Sequence, residues 1–130
     1  MILLSAVMVA LMVWLINRQI VNLLGNKAVI TAIPFIEELF KSAAAVLLGV
    51  PLVALHGIFG IIEGVYDIIA GVRFLPAAAS VLSHTFFGGL TNYLLHIFGF
   101  WGAWFVAGLV HVAWNVSVMF WFNRRRKKLR

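Results

Sequence analysis

The 130-residue chain has no cysteine, only three prolines and only four acidic residues. Without cysteine there can be no disulfide, no thiol nucleophile and no thiolate metal ligand. Charged residues make up 11% of the chain, far below the roughly 25% usual in soluble domains. Internal repeats and low-complexity tracts are also missing, so residues 1–130 are expected to form a single domain. What fills the chain is apolar: 64% of its residues are hydrophobic and its mean hydropathy is +1.07. A small domain leaves much of its surface exposed, so this composition cannot be kept from water by folding alone. Lipid must form part of the solvent.

The formal charge is +6 and the pI about 10.6. These values do not describe a nucleic-acid face, because the basic residues are not spread over a polar surface. Six of the ten fall in the seven residues from Arg124 to Arg130, directly after an apolar stretch. Such a cluster reads as a cytoplasmic anchor against anionic lipid. The expected partners are the bilayer, in the cell membrane, and no nucleic acid.

A membrane-spanning helix needs roughly 17–25 mostly apolar residues. The sequence offers five such stretches, about residues 1–16, 29–49, 51–71, 74–98 and 101–122, followed by a basic tail at 123–130. The expected fold is therefore an all-α, polytopic transmembrane bundle. The first stretch lacks a basic n-region and a clear cleavage site, so it reads as a span rather than a signal peptide. It is short, and a polar link over residues 17–28 is expected after it. Pro51 and Pro76 stand at span starts, where a missing amide costs least. Pro34 stands inside the second span and predicts either a kink or a later start.

Charge asymmetry gives the orientation. With the N-terminus outside and the C-terminus cytoplasmic, Arg18, Lys27, Arg73 and the tail all face inward. The connections near Gly49–Pro51 and Gly99–Phe100 face outward and carry no charge. Trp14, Trp101, Trp104 and Trp121 fall near the predicted interfaces, as in aromatic belts.

All four acids and all four histidines lie within these apolar stretches. Glu37 and Glu38 precede Lys41 by four and three residues, so on a helix both can reach its ammonium group. Glu63 and Asp67, and likewise His111 and Asn115, are each four apart. Counted from the cytoplasmic end of each span, Glu37, Glu63, His84 and His111 lie roughly 12 to 17 Å deep. Four spans thus place a polar group in one layer near the middle of the bilayer. Four acids against the single embedded base Lys41 would carry a net negative charge, at a cost of at least about 2.5–3.5 kcal/mol per charge. They must be hydrated, protonated, paired with histidinium or bound to metal. Glu38 and Lys41 also read simply as a salt bridge that helps the helix insert. His56 and His96, near the predicted outer ends, read as interfacial histidines outside the site. Asp67 reads either as a site residue or as a partner of Arg73 or Lys27. Gly57, Gly60, Gly64, Gly88 and Gly89 are expected to let helices pack closely.

Glu37-Glu38-x-x-Lys41, Phe59-x-x-x-Glu63, His84 followed by Gly88, and His111-x-x-x-Asn115 stand in order on separate spans. Together they resemble the motifs of PrsW-type intramembrane proteases, within the superfamily of CAAX prenyl-proteases and bacteriocin-processing enzymes. Lysine in the first motif and glutamate in the second match the PrsW branch; the CAAX branch typically has arginine and histidine there. The resemblance covers about residues 34–115. The chain is shorter than typical members, and Tyr66 and Asp67 depart from the local pattern after Glu63.

The resemblance implies hydrolysis of peptide bonds in membrane-embedded or membrane-anchored protein substrates. Glu37 is the expected general base toward water, with Glu38 and Lys41 setting its charge state and Glu63 orienting the water. His84 and His111 are expected to donate to the developing oxyanion, with Asn115 orienting His111 or sharing that role. No HExxH sequence occurs and no cofactor is required by this scheme. A zinc site built from Glu63, His84 and His111 stays open. Two other readings stay open as well: a proton- or cation-coupled transporter or channel, and a non-catalytic scaffold like the γ-secretase subunit that the superfamily resembles.

Overall fold

In a computed structural model, residues 1–71 and 74–128 are described. The expected link at Arg73 and the last two tail residues lie outside them. The described residues are helical throughout, with no strand. The elements are α1 (Ile2–Leu24), a 3₁₀ turn (Asn26–Ile30), α2 (Ala32–Leu48), α3 (Leu52–Ile69) and α4 (Phe74–Lys128). By length and composition, three helical stretches suffice to cross a membrane: Ile2–Leu24, Leu52–Ile69 and Phe74–Trp121.

Several boundaries differ from the sequence expectation, for local reasons. α1 runs on through the predicted link, because residues 17–24 contain no proline or glycine to stop it; it ends at Gly25. Asn17 is therefore helical. α2 begins at Ala32, so Pro34 is its third residue and lies in the first turn, where backbone amides have no intrahelical partner. Pro34 marks the helix start and causes no kink. α2 ends at Gly49, whose left-handed φ of 63° lets the Val50 amide reach back to the Ala45 carbonyl at 3.0 Å. Pro51 then caps α3.

α4 is broken at Gly99, where φ is 65° and ψ is −176°. The chain folds back on itself there. His84 and Phe87 on the first limb (74–98) meet His111 on the second (100–128), at ring-centroid distances of 5.4 and 4.5 Å. The other helices also alternate in direction. α1 runs against α2, since Ala6 clusters with Ala45 while Asn17 meets Glu37. α2 in turn runs against α3, with Ala45 near Leu55 and Glu38 bonded to His56.

α3 and the first limb of α4 pack almost backbone to backbone. A Cβ on Gly64 would lie 2.9 Å from the Ala77 carbonyl oxygen, and one on Gly60 would lie 3.0 Å from Ser80, Val81 and His84 atoms. A Cβ on Gly88 would lie 2.8 Å from the His56 Cβ. The small residues act as expected of membrane helix contacts, with one exception: nothing lies within 4 Å of a Cβ on Gly89.

The distribution of polarity is inverted relative to a water-soluble fold. Leu3, Leu4, Met8, Leu82 and Phe105 are more than half exposed, whereas Glu38, Lys41 and His56 are fully buried. Such an interior is stable only if its charges pair with each other, and such an exterior only if lipid covers it. Trp14, Trp101 and Trp121 are exposed. Trp104 is half-buried, and its indole N–H donates to the Phe35 carbonyl at 2.8 Å, tying α4 to α2.

Candidate functional site

The interior network centres on Glu38. Its Oε1 accepts from Lys41 Nζ at 2.6 Å and from His111 Nδ1 at 3.1 Å. Its Oε2 accepts from His56 Nε2 at 3.2 Å. Three donors from three helices converge on one carboxylate that no solvent reaches. The Lys41 ammonium also lies 4.8 Å from the Phe59 ring centroid, a cation–π arrangement. Only Glu38 bonds to Lys41; Glu37 turns away, although the spacing allowed both.

Hydrogen-bond chemistry fixes the histidine tautomers. Lysine can only donate, so His84 Nδ1, at 2.9 Å from Lys41 Nζ, accepts. Its Nε2 therefore holds the proton and donates to Glu63 Oε2 at 2.6 Å. Glu63 also accepts from the Ser80 hydroxyl at 2.7 Å. His111 donates from Nδ1 to Glu38, which leaves its Nε2 facing Glu37 Oε2 at 3.9 Å. His56 faces an acceptor on each side, the Leu52 carbonyl at 2.9 Å and Glu38 at 3.2 Å. The contact to Glu38 comes from a residue that the sequence placed outside the site, at the outer interface. Nothing in the spacing of His56 signals this; Glu38 reaches it only because α2 and α3 pack side by side. His96, by contrast, is exposed, as expected.

Glu37 is held by a residue the sequence assigned to a link. Asn17 Nδ2 donates to Glu37 Oε1 at 2.9 Å, leaving Oε2 to face His111. One oxygen of Glu37 and one nitrogen each of His84 and His111 lie within 4.8 Å of one another. Three atoms so placed share a point no more than about 2.8 Å from each, which is a hydrogen-bond distance for one water molecule. The polar groups that the sequence placed in one layer, Glu37, Glu63, His84 and His111, are therefore gathered into one cluster. The group differs from the expected zinc set in having Glu37 where Glu63 was placed; Glu63 bonds to His84 instead. A cation held here would sit close to the Lys41 ammonium and would compete for the ring nitrogens of His84, both already engaged.

Asn115 does not orient His111. Its amide donates to the Val29 carbonyl at 3.2 Å, tying α4 to the 3₁₀ turn, and Glu38 performs the orienting role. Glu38 itself lines neither of the two cavities beside the network.

The first cavity, about 590 Å³, opens at the end where α3 stops and α4 starts. Glu37, Glu63, Asp67, His84, His111 and Asn115 line it. The second, about 460 Å³, lies between α1 and α3 and is lined mainly by apolar side chains. Glu37, Glu63 and Asp67 line both. The arrangement can hold a water molecule between a carboxylate and two imidazoles, where the two cavities meet. Comparison with known protein families, curated proteins and solved structures finds no match for this chain.

Proposed function

We propose that the protein is an intramembrane peptidase that uses a glutamate-activated water. The observation that carries this reading is the trio Glu37, His84 and His111, gathered around one water-sized point and backed by the buried Glu38–Lys41 pair. The order of its motifs, which resembles that of PrsW-type proteases, supports it. So does the access: a reacting water can arrive through the first cavity, whose lining includes Ser80, Ser83 and Asn115, while a membrane polypeptide can approach from the second.

The topology that goes with this reading has five spans, α4 counting as two on either side of Gly99, with the C-terminal end cytoplasmic. The alternation of helix directions, with Arg18, Lys27 and Arg124 toward one end of the bundle, supports this orientation through the positive-inside rule.

In the proposed reaction, Glu37 Oε2 takes a proton from the water as its oxygen attacks the scissile carbonyl carbon. His111 Nε2, its ring oriented by Glu38, accepts the second hydrogen bond of that water. The oxyanion that forms is met by the Nε2–H of His84, shared with Glu63. Collapse breaks the C–N bond, and the proton on Glu37 passes to the leaving amine. This reading assigns His111 to the water, whereas the sequence had both histidines on the oxyanion. No metal takes part in the scheme.

A proton or cation path would need a polar chain that continues through the bundle. Among the described residues the chain ends at His56, whose Nδ1 turns back onto the Leu52 carbonyl. The test is incubation of the purified protein with single-span substrates. Cleavage that is lost in Glu37→Gln supports the reading; ion flux in liposomes without cleavage favours transport, and neither activity favours a scaffold.

A further inference from the structure

A groove lies between α1 and α3, lined by Val7, Leu11 and Trp14 on one side and by Phe59, Ile62 and Tyr66 on the other. The two helices also pack together, with Ala6 near Leu55 and Val9 and Val13 near Phe59. The groove leads from the exposed side chains of Leu11 and Trp14 to Glu37. At that inner end the groove holds three carboxylates. Glu37 is held by Asn17, and Glu63 by His84 and Ser80. Asp67 is half-buried and has no hydrogen bond or ion pair among the described residues. It lies four residues beyond Glu63 on α3, about 6 Å further along the helix axis.

We infer that this groove seats the juxtamembrane stretch of a single-span protein, with a Lys or Arg of that stretch paired to Asp67. That this segment is a substrate rests on the hydrolytic reading above. Charge complementarity selects the occupant. The Asp67 end of the groove is also the end that carries Arg18 and Lys27, and single-span proteins keep their own basic flank at the same membrane face. An acyl chain fills the apolar wall but offers nothing to Asp67; an anionic headgroup can meet Arg18 over Trp14 at the rim, but further in it meets the carboxylates of Glu37, Glu63 and Asp67, where a basic side chain is the complementary partner. The 6 Å offset from Glu63 corresponds to about two residues of extended chain. Glu63 bonds to His84, the oxyanion donor of the proposed reaction, so the bond presented at that level lies on the order of two residues to the membrane side of the basic residue.

The experiment uses full-length Glu37→Gln protein in nanodiscs and a fluorescent single-span peptide, made with either Lys or Glu at the juxtamembrane position. The Lys peptide is expected to bind about five- to tenfold more tightly. Asp67→Asn should remove the difference and Asp67→Lys should reverse it. Equal affinities, an order unchanged in both Asp67 variants, or displacement of the peptide by added phospholipid would overturn the inference. Wild-type cleavage is then assayed on the same peptides. Ordered binding without cleavage of any peptide leaves the groove standing and removes the hydrolytic reading. Cleavage indifferent to the flank removes the groove and leaves hydrolysis.

Discussion

His111 Nδ1 stands 3.1 Å from Glu38 Oε1, while the other nitrogen of the same ring stands 3.9 Å from Glu37 Oε2. One imidazole is thus fixed from behind by a buried carboxylate and faces a second carboxylate across a gap too wide for a direct bond. The gap suits a bridging water, and the predictions follow from that division of labour between neighbouring glutamates.

Asn17→Ala should lower kcat about tenfold, because it frees Glu37 to rotate; Asn17 also lines the groove, so any rise in KM should be smaller than the fall in kcat. Steady-state kinetics in detergent or nanodiscs reads the split. A loss confined to KM would show that Asn17 acts on substrate rather than on Glu37.

Lys41→Met should destabilise the fold by about 3–5 kcal/mol, since it leaves the fully buried Glu38 without its closest cation. The double variant Glu38→Gln/Lys41→Met should recover much of that loss, because removing both charges leaves none uncompensated. Thermal unfolding of the four proteins of this cycle tests the coupling; additive losses would contradict it.

Gly64→Leu should disrupt the bundle, because even a Cβ there would come within 2.9 Å of the Ala77 carbonyl oxygen. Gly89→Ala should be tolerated and can gain roughly 0.5–1 kcal/mol of helix stability, since open space surrounds it. Comparable melting temperatures for the two variants would mean that α3 and the first limb of α4 do not pack as described.

Prolonged treatment with a zinc chelator should leave activity unchanged, because Lys41 and Glu63 occupy the two ring nitrogens of His84. Loss of activity that zinc restores would replace the glutamate scheme with a metal-assisted one.

The sequence made the helical class and the polar layer legible, because apolar length and the positions of Glu37, Glu63, His84 and His111 are local signals. It also showed where α2 and the first limb of α4 end, through Gly49 with Pro51 and through Gly99. It did not show which side chains bond to which. Spacing put both Glu37 and Glu38 within reach of Lys41, and only the packing of α1 and α3 against α2 decides that Glu38 takes Lys41 and His56 while Glu37 takes Asn17. Asn17 was hidden because it stood beside Arg18 and Gln19 and read as a polar link. His56 was hidden because depth along one helix says nothing about a neighbour 18 residues away. Asn115, four residues from His111, looked like its partner, but its amide reaches Val29 instead.

The most direct test of the account is cleavage of a single-span peptide by the purified protein, comparing wild type with Glu37→Gln. Glutamine keeps the acceptor that Asn17 uses, so the variant should fold with an unchanged melting temperature and helical signal. Its cleavage rate should fall by at least about 100-fold, as expected on losing a general base. A folded Glu37→Gln protein that cleaves at the wild-type rate would contradict the account.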